Sequence, residues 1–289
     1  MDFVKWNLNN RCNLKCYFCC AEDRVSEELS IEDKFKVLDI LYSNGIRFID
    51  FFGKEPLLNE EMFRIMQYGV SKGYDIYYTF ITNGYNLMKY SNNIIESPCR
   101  NFTISYDFGY ARAFNVSLED LSVFDDNFGI ELSIDVHRGN TKTILEQLPN
   151  LTRYKVDSIY LKPIIPEGSL SVNVKDYLSD KEFEKFMLDV IFSPVRPYCR
   201  FSIPFIYKES TNRYFNVEET TFSIYTEPKC NYGETLFIDC DGSVYGCGSV
   251  CYSLNEENVK NILTTPFEEF TRLKSQCKGR MCIDLHKNN

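Results

Sequence analysis

Histidine is nearly missing from this chain. His137 and His286 are the only two, which excludes a Cys2His2 zinc finger and argues against mixed Cys/His metal sites. No apolar run approaches the length of a membrane-spanning helix, and residues 1–12 lack the apolar core of a secretory signal. A cytoplasmic protein without a membrane partner is therefore expected. Lysine and arginine nowhere cluster densely, and the formal net charge is −9. Nucleic acid is then not expected as a partner either, whereas an acidic surface would tolerate a basic peptide or a polyamine. Internal repeats and low-complexity tracts are absent.

What the chain has in plenty is cysteine, twelve in 289 residues. Without a secretory signal, such usage argues for metal ligation rather than for disulfides. With so little histidine, the ligands would be thiolates, which suit zinc or iron–sulfur clusters.

The first two-thirds alternate strand and helix patterns. Strands are expected at Phe3–Leu8, Arg47–Phe52, Asp75–Ile81, Asn101–Tyr106, Ile130–Val136 and Ser158–Lys162. A helix should follow the capping-box-like Ser30-Ile-Glu-Asp33 and stop at Asn44-Gly45. Further helices are expected at Glu60–Val70, Leu118–Phe124, Thr141–Leu148 and Asp180–Ile191. Six right-handed βα units imply an α/β fold with a parallel sheet, short of the eight units of a closed barrel. The expectation is a partial (β/α)6 TIM-like barrel over residues 1–200 and a small cysteine-rich α+β domain over 201–289. Chemistry in such folds sits at the carboxyl ends of the strands. The first cysteine cluster, Gly53–Pro56 and Asn83-Gly84 each follow a strand and should share that face.

That cluster reads Arg11-Cys12-Asn-Leu-Lys-Cys16-Tyr-Phe-Cys19, a C-x3-C-x2-C spacing. Composition alone would give about 0.02 such spacings by chance. Three thiolates can hold three irons of a [4Fe–4S] cube and leave the fourth without a protein ligand, the open position a catalytic site needs. The competing readings are a zinc knuckle short of one ligand, or buried cysteines. Cys20, beside Cys19, is read as a non-ligand.

The phrase Cys-Asn-Leu-x-Cys-x-Phe-Cys after a first strand resembles the signature of the radical S-adenosylmethionine superfamily. The resemblance implies that Cys12, Cys16 and Cys19 hold a [4Fe–4S] cluster. The open iron is chelated by S-adenosylmethionine, which is cleaved to a 5′-deoxyadenosyl radical, and Phe18 lies beside the adenine. A flavodoxin- or ferredoxin-type electron donor is implied as a partner. Relatives have Gly-Gly-Glu-Pro after the second strand. Here Gly53-Lys54-Glu55-Pro56 stands there, with Glu55 expected to hold the cofactor's ammonium and Lys54 departing from the pattern. Asn83 and Ser105, at the ends of the third and fourth strands, stand where relatives bind the cofactor, and Arg112 or Arg138 would pair with its carboxylate. Taken alone, each is also ordinary turn or surface chemistry.

Six cysteines fall in the last sixty residues: Cys230, Cys240, Cys247, Cys251, Cys277 and Cys282. A hairpin with Asp241-Gly242 at its tip is expected there. The segment resembles SPASM and Twitch domains, which implies an auxiliary [4Fe–4S] cluster on Cys230, Cys247, Cys277 and Cys282. Cys240 would be a hairpin core residue and Cys251 would stand near the site. A zinc ribbon is the alternative.

The resemblance does not name the substrate. One class of reaction modifies a ribosomally made peptide by crosslink, thioether or epimerisation. In an epimerase, Cys251 would return the hydrogen atom, although relatives carry that cysteine at the position of Gly248. Any peptide leader is expected to be bound by the barrel, by the C-terminal region or by a separate protein. The other class oxidises or epimerises a small molecule such as an aminoglycoside. An electron carrier without catalysis is the reading from outside the enzymes.

Overall fold

The computed structural model describes residues 2–16, 19, 27–108, 114–151, 153–164, 176–193, 199–203, 217–218, 222–226, 235–246 and 259–270. Among these described residues twelve strands form one sheet in the order β12-β11-β10-β1-β2-β3-β4-β5-β6-β7-β9-β8. They are β1 (Phe3–Asn7), β2 (Phe48–Phe52), β3 (Tyr77–Thr82), β4 (Asn101–Tyr106), β5 (Gly129–Val136) and β6 (Ser158–Pro163). There follow β7 (Cys199–Ile203), β8 (Val217–Glu218), β9 (Phe222–Thr226), β10 (Leu236–Ile238), β11 (Ser243–Tyr245) and β12 (Lys260–Asn261). β1 to β7 run parallel in chain order, β9 adds in parallel at one side, and β10 adds in parallel beside β1 at the other. The ends of the order do not pair among the described residues, so this is an open, partial barrel.

The helices are α1 (Ile31–Ser43), α2 (Glu61–Ser71), α3 (Ser91–Glu96), α4 (Thr141–Leu151) and α5 (Asp180–Ile191). Ser30 caps α1 by accepting the Asp33 N–H at 3.1 Å, and Gly45 follows its end at φ +85°. A capping box of Ser179 and Glu182 starts α5. The segment expected as a helix at Leu118–Phe124 is instead a 3-10 turn, Glu119–Val123. Its buried residues, Leu118, Leu121 and Phe124, recur every three residues, the period of a 3-10 turn rather than that of an α-helix. No helix among the described residues is long and apolar enough to cross a membrane.

Alternation along the strands sorts the side chains onto two faces. Val4 and Trp6 of β1, Ile49 and Phe51 of β2, and Tyr78 and Phe80 of β3 pack with Leu38 and Leu41 of α1 and Ile65 and Met66 of α2 in one core. Gly69 of α2 makes room for Tyr78, whose hydroxyl lies 2.3 Å from where a Cβ would be. Lys34 of α1 is wholly buried and pairs with Glu61 at the start of α2.

The other face is polar. Lys5 pairs with Asp50 at 3.6 Å, Lys162 with Asp135 at 3.2 Å, and Arg200 with Glu131. Glu131 also accepts from Ser158 at 3.1 Å. Burial pushes the Asp50 carboxyl up, Lys5 opposes the rise, and Glu131 of β5 adds to it. In a flat sheet β2 and β5 would lie about 14 Å apart. An effect of Glu131 on Asp50 fits a sheet curled around a polar lumen.

Candidate active site

The chain leaves β1 through Leu8 and Asn9 and enters the cysteine loop. Asn9 is buried and works in both directions: its Oδ1 accepts the Arg11 N–H at 3.0 Å, and its Nδ2 donates to the Glu55 carbonyl at 3.0 Å. Glu28, at the far end of the loop, accepts the Asn10 N–H at 3.1 Å. Within the loop, the Cys19 N–H donates to the Cys16 carbonyl at 3.2 Å and the Leu14 N–H to Cys12 Sγ at 3.4 Å. Cys12, Cys16 and Cys19 therefore share one loop at the carboxyl end of β1.

Burial pushes the Cys12 thiol up; the Leu14 N–H and the Asn83 amide pull it down, and the Glu55 carboxylate raises it. A thiol so placed becomes a thiolate when a metal supplies positive charge. No three Cys, His, Asp or Glu side chains among the described residues converge on a single-ion site. A cube of four irons does not ask for that, because each of its cysteines binds a different iron. The donor set, three thiol side chains in one short loop, fits such a cluster.

Gly53 to Glu55 follow β2. Gly53 has φ +105°, and a Cβ there would sit 2.4 Å from Asn7 Oδ1, so only glycine fits. Lys54 takes the second glycine's place without strain of that kind and donates its N–H to Asn7 Oδ1 at 3.3 Å. Glu55 is 1% exposed. Its Oε1 accepts from Thr82 Oγ1 at 2.7 Å and from the Leu57 N–H at 3.0 Å, and its Oε2 accepts from the Asn83 N–H at 2.8 Å.

Asn83, just past β3, joins the two loops. Its backbone N–H is on Glu55, and its Nδ2 reaches Cys12 Sγ at 3.6 Å and Asn13 Oδ1 at 2.9 Å. The Gly84 N–H returns to Thr82 Oγ1 at 3.1 Å, and Gly84 itself turns at φ +81°.

On the far wall, Ser105 of β4 is half-buried and registers with Ser133 of β5. Asp107 is buried, its N–H held by Asn115 Oδ1 at 3.0 Å. His137, after β5, accepts the Gly139 N–H on Nδ1 at 3.2 Å, which leaves the proton of the neutral ring on Nε2. Among the described residues that buried Nε2 has no hydrogen-bond partner. Burial pulls the ring's pKa down against the pull of Asp107, Asp176 and Asp135. Arg138 is engaged by Glu182 of α5, at 2.7 and 3.1 Å.

On the other side, β10 and β11 form a hairpin whose tip, Asp241-Gly242, turns at φ +84°. Cys240 is buried in it. Asp239 is buried too, and its Oδ1 accepts from Asn7 Nδ2 at 2.7 Å and from the Cys240 N–H at 2.9 Å.

Of the residues singled out from sequence, Cys12, Cys16, Cys19, Gly53, Lys54, Glu55 and Asn83 come together at the ends of β1 to β3, with Ser105 at the end of β4. Phe18, Cys20, Arg112, Cys230, Cys247, Cys251, Cys277 and Cys282 lie outside the described residues. Sequence reasoning passed over Asn7, Asn9, Asp239 and His137. The first two sit in an asparagine-rich strand end, Asn7-Leu-Asn-Asn10, which was a readable signal for side chains that bridge backbone groups.

Residues 6–160, more than half of the chain, match the model of the Radical SAM superfamily. A GTP 3′,8-cyclase of Campylobacter fetus subsp. fetus is 31% identical over 114 residues, a match that spans 37% of this chain and only 35% of that protein. Among solved structures, Streptococcus suis SuiB bound to its precursor peptide SuiA superposes with a TM-score of 0.68 at 12% identity, over 93% of this chain and 64% of that one. Native anSMEcpe with bound AdoMet and the Cp18Cys peptide gives a TM-score of 0.63 at 16% identity, over 93% of this chain and 80% of that one. These last two likenesses are of fold.

Proposed function

Because the chain belongs to the radical SAM superfamily and is an enzyme of that kind, we propose that it abstracts a hydrogen atom from a ribosomally synthesised peptide and so modifies it. When bound, the [4Fe–4S] cluster and S-adenosylmethionine supply a one-electron cleavage of the sulfonium bond and a 5′-deoxyadenosyl radical. The observation that carries the reading is Asn83, which touches Cys12 with its side chain and Glu55 with its backbone. It brings the three-cysteine loop and the Gly-x-Glu-Pro loop to one point at the strand ends.

The roles follow from the residues. Cys12, Cys16 and Cys19 hold the cluster. Gly53, Lys54 and Glu55 present acceptors for the cofactor's ammonium, the buried Glu55 chiefly by fixing the loop and Asn83. Phe18 lies against the adenine, and Ser105 offers a hydroxyl from the far wall. Cys230, Cys247, Cys277 and Cys282 hold an auxiliary cluster. Cys251 is the hydrogen-atom donor if the product is an epimer, and a flavodoxin- or ferredoxin-type protein delivers the electron. The two fold neighbours crystallised with peptides support a peptide as substrate. A small molecule is the second reading, favoured by sequence relatives such as the GTP 3′,8-cyclases.

The test is anaerobic. Reconstituted enzyme with dithionite and S-adenosylmethionine should release 5′-deoxyadenosine, and a Cys12→Ala/Cys16→Ala/Cys19→Ala variant should not. Equal release from both would refute the reading. Deuterium carried from a labelled candidate peptide into 5′-deoxyadenosine would decide for a peptide, and its absence across peptides would turn the search to small molecules.

A further inference from the structure

We infer that Asp239, on the C-terminal hairpin, is a positioning residue for the cofactor loop and acts through Asn7. The inference rests on the reading of Gly53–Glu55 as the ammonium-binding loop. It assigns to the hairpin a part in cofactor binding that is independent of any cluster carried by the cysteines beyond it.

Asn7 is 3% exposed and Asp239 is 4% exposed, and 232 residues separate them in sequence. Both lie on the lumen side of their strands, because Trp6 and Ile238, each one residue earlier and paired in register, belong to the core behind the sheet. The Asn7 amide has one orientation that satisfies both of its ends. Its Nδ2 donates to Asp239 Oδ1 at 2.7 Å, and its Oδ1 accepts the Lys54 N–H at 3.3 Å. A carboxylate at position 239 can only accept, so it selects that orientation and turns the oxygen towards Lys54. The same oxygen lies 2.4 Å from the missing Cβ of Gly53. The loop is therefore seated on an amide whose direction is set from the far end of the chain.

The hairpin grips the cysteine loop at its other end as well. The Cys240 carbonyl accepts the Leu29 N–H at 2.8 Å, while the Cys240 N–H shares Asp239 Oδ1 with Asn7. Residues 7 and 29, on either side of the three cysteines, are thus tied to two consecutive hairpin residues. Displacing the hairpin would loosen the seat of Gly53–Lys54 and the neck of the cysteine loop together.

The test uses the full chain, reconstituted anaerobically, and reads the Kd for S-adenosylmethionine by equilibrium dialysis beside iron content and melting temperature. Asp239→Ala should raise Kd about tenfold, the scale of one buried hydrogen bond to a charged group, with the iron retained. Asp239→Asn keeps an acceptor oxygen and should stay within about twofold of wild type. Asn7→Asp sets two carboxylates against each other and should weaken binding at least as much as Asp239→Ala. Combining Asn7→Asp with Asp239→Asn exchanges donor and acceptor between the two side chains; because the Cys240 N–H also uses Asp239 Oδ1 and gives up its acceptor in the exchange, binding should recover in part, above Asn7→Asp alone and below wild type. A merely structural role would not give this rescue, and it keeps the test decisive if Asp239→Ala folds poorly. Wild-type affinity in both Asp239→Ala and Asn7→Asp, or an exchange variant that binds no tighter than Asn7→Asp alone, would overturn the inference. A wild-type enzyme that binds no S-adenosylmethionine would instead refute the function on which it rests.

Discussion

Replacing Glu55 separates a residue that holds a loop from one that only touches a cofactor. Its carboxylate accepts from the Leu57 N–H, Thr82 Oγ1 and the Asn83 N–H, all in a buried setting. In Glu55→Gln one oxygen keeps Thr82 and Leu57, and the new NH2 faces the Asn83 N–H. A buried donor left without an acceptor costs about 1–3 kcal/mol. In Glu55→Ala the Leu57 and Asn83 N–H groups both lose their acceptor, about 2–6 kcal/mol, while the Thr82 hydroxyl can turn. At about 2–4 °C per kcal/mol for a chain approaching this size, cofactor-free Glu55→Gln should melt about 2–12 °C below wild type, and Glu55→Ala lower still. Loss of the Glu55 charge should also lower the Cys12 thiol's pKa, since that charge raises it. Differential scanning fluorimetry and thiolate absorbance on cluster-free protein read the two effects. A Glu55→Gln variant that melts like wild type without cofactor would refute the structural role and leave Glu55 as a contact to the ligand.

Three further outcomes are expected. Gly53→Ala puts a Cβ at φ +105° and 2.4 Å from Asn7 Oδ1; it should cost about 2–4 kcal/mol by chemical denaturation and abolish S-adenosylmethionine binding, and a soluble variant with unchanged affinity would contradict the loop geometry. Asn83→Ala removes the amide 3.6 Å from Cys12 Sγ. Losing about 1 kcal/mol of hydrogen bonding to a cluster sulfur should lower the midpoint potential by about 40 mV for one electron, read by redox titration with EPR, and an unchanged potential would remove Asn83 from the cluster's surroundings. Burial raises the Asp50 carboxyl's pKa in the fold, so the folded chain binds that proton more tightly than the unfolded one. Its contribution is fully present below the unfolded pKa and is lost as pH rises through the folded one. Asp50→Asn should therefore be at least as stable as wild type at pH 7 and less so relative to it at pH 3, and denaturation curves with the opposite order would refute this.

The six central strands were legible because each is rich in β-branched and aromatic residues, alternating with polar ones most clearly in Asn101-Phe-Thr-Ile-Ser-Tyr106. Their ends were legible too, because Gly53 and Asn83-Gly84 are turn chemistry. α3 was not expected: Ser91-Asn-Asn-Ile-Ile-Glu96 is too short to show a helical period, and contact with the core through Ile94 holds it. β7 and the parallel placement of β10 beside β1 depend on long-range pairing, for which short segments carry no local signal. The site divides in the same way. The cysteine loop and Gly53–Pro56 announce themselves as motifs, but the partners of Glu55 arrive 27 and 28 residues later from β3, and that of Asn7 arrives 232 residues later. A buried carboxylate reads in sequence as a ligand-facing one until its neighbours are known. The auxiliary cysteines remain an expectation, since they lie outside the described residues.

The tie between Asn7, Leu29 and the hairpin also sets a timetable for biosynthesis. Residues 7 and 29 leave the ribosome early, but the groups that fasten them are made more than 200 residues later. At about 5–20 residues per second, the cysteine loop waits roughly 12–45 s with its neck unfastened. During that interval its thiols are open to oxidants and to iron–sulfur carriers alike. Cluster loading therefore competes with translation, and a chain truncated before residue 239 would present its cysteines without the means to close around what they bind.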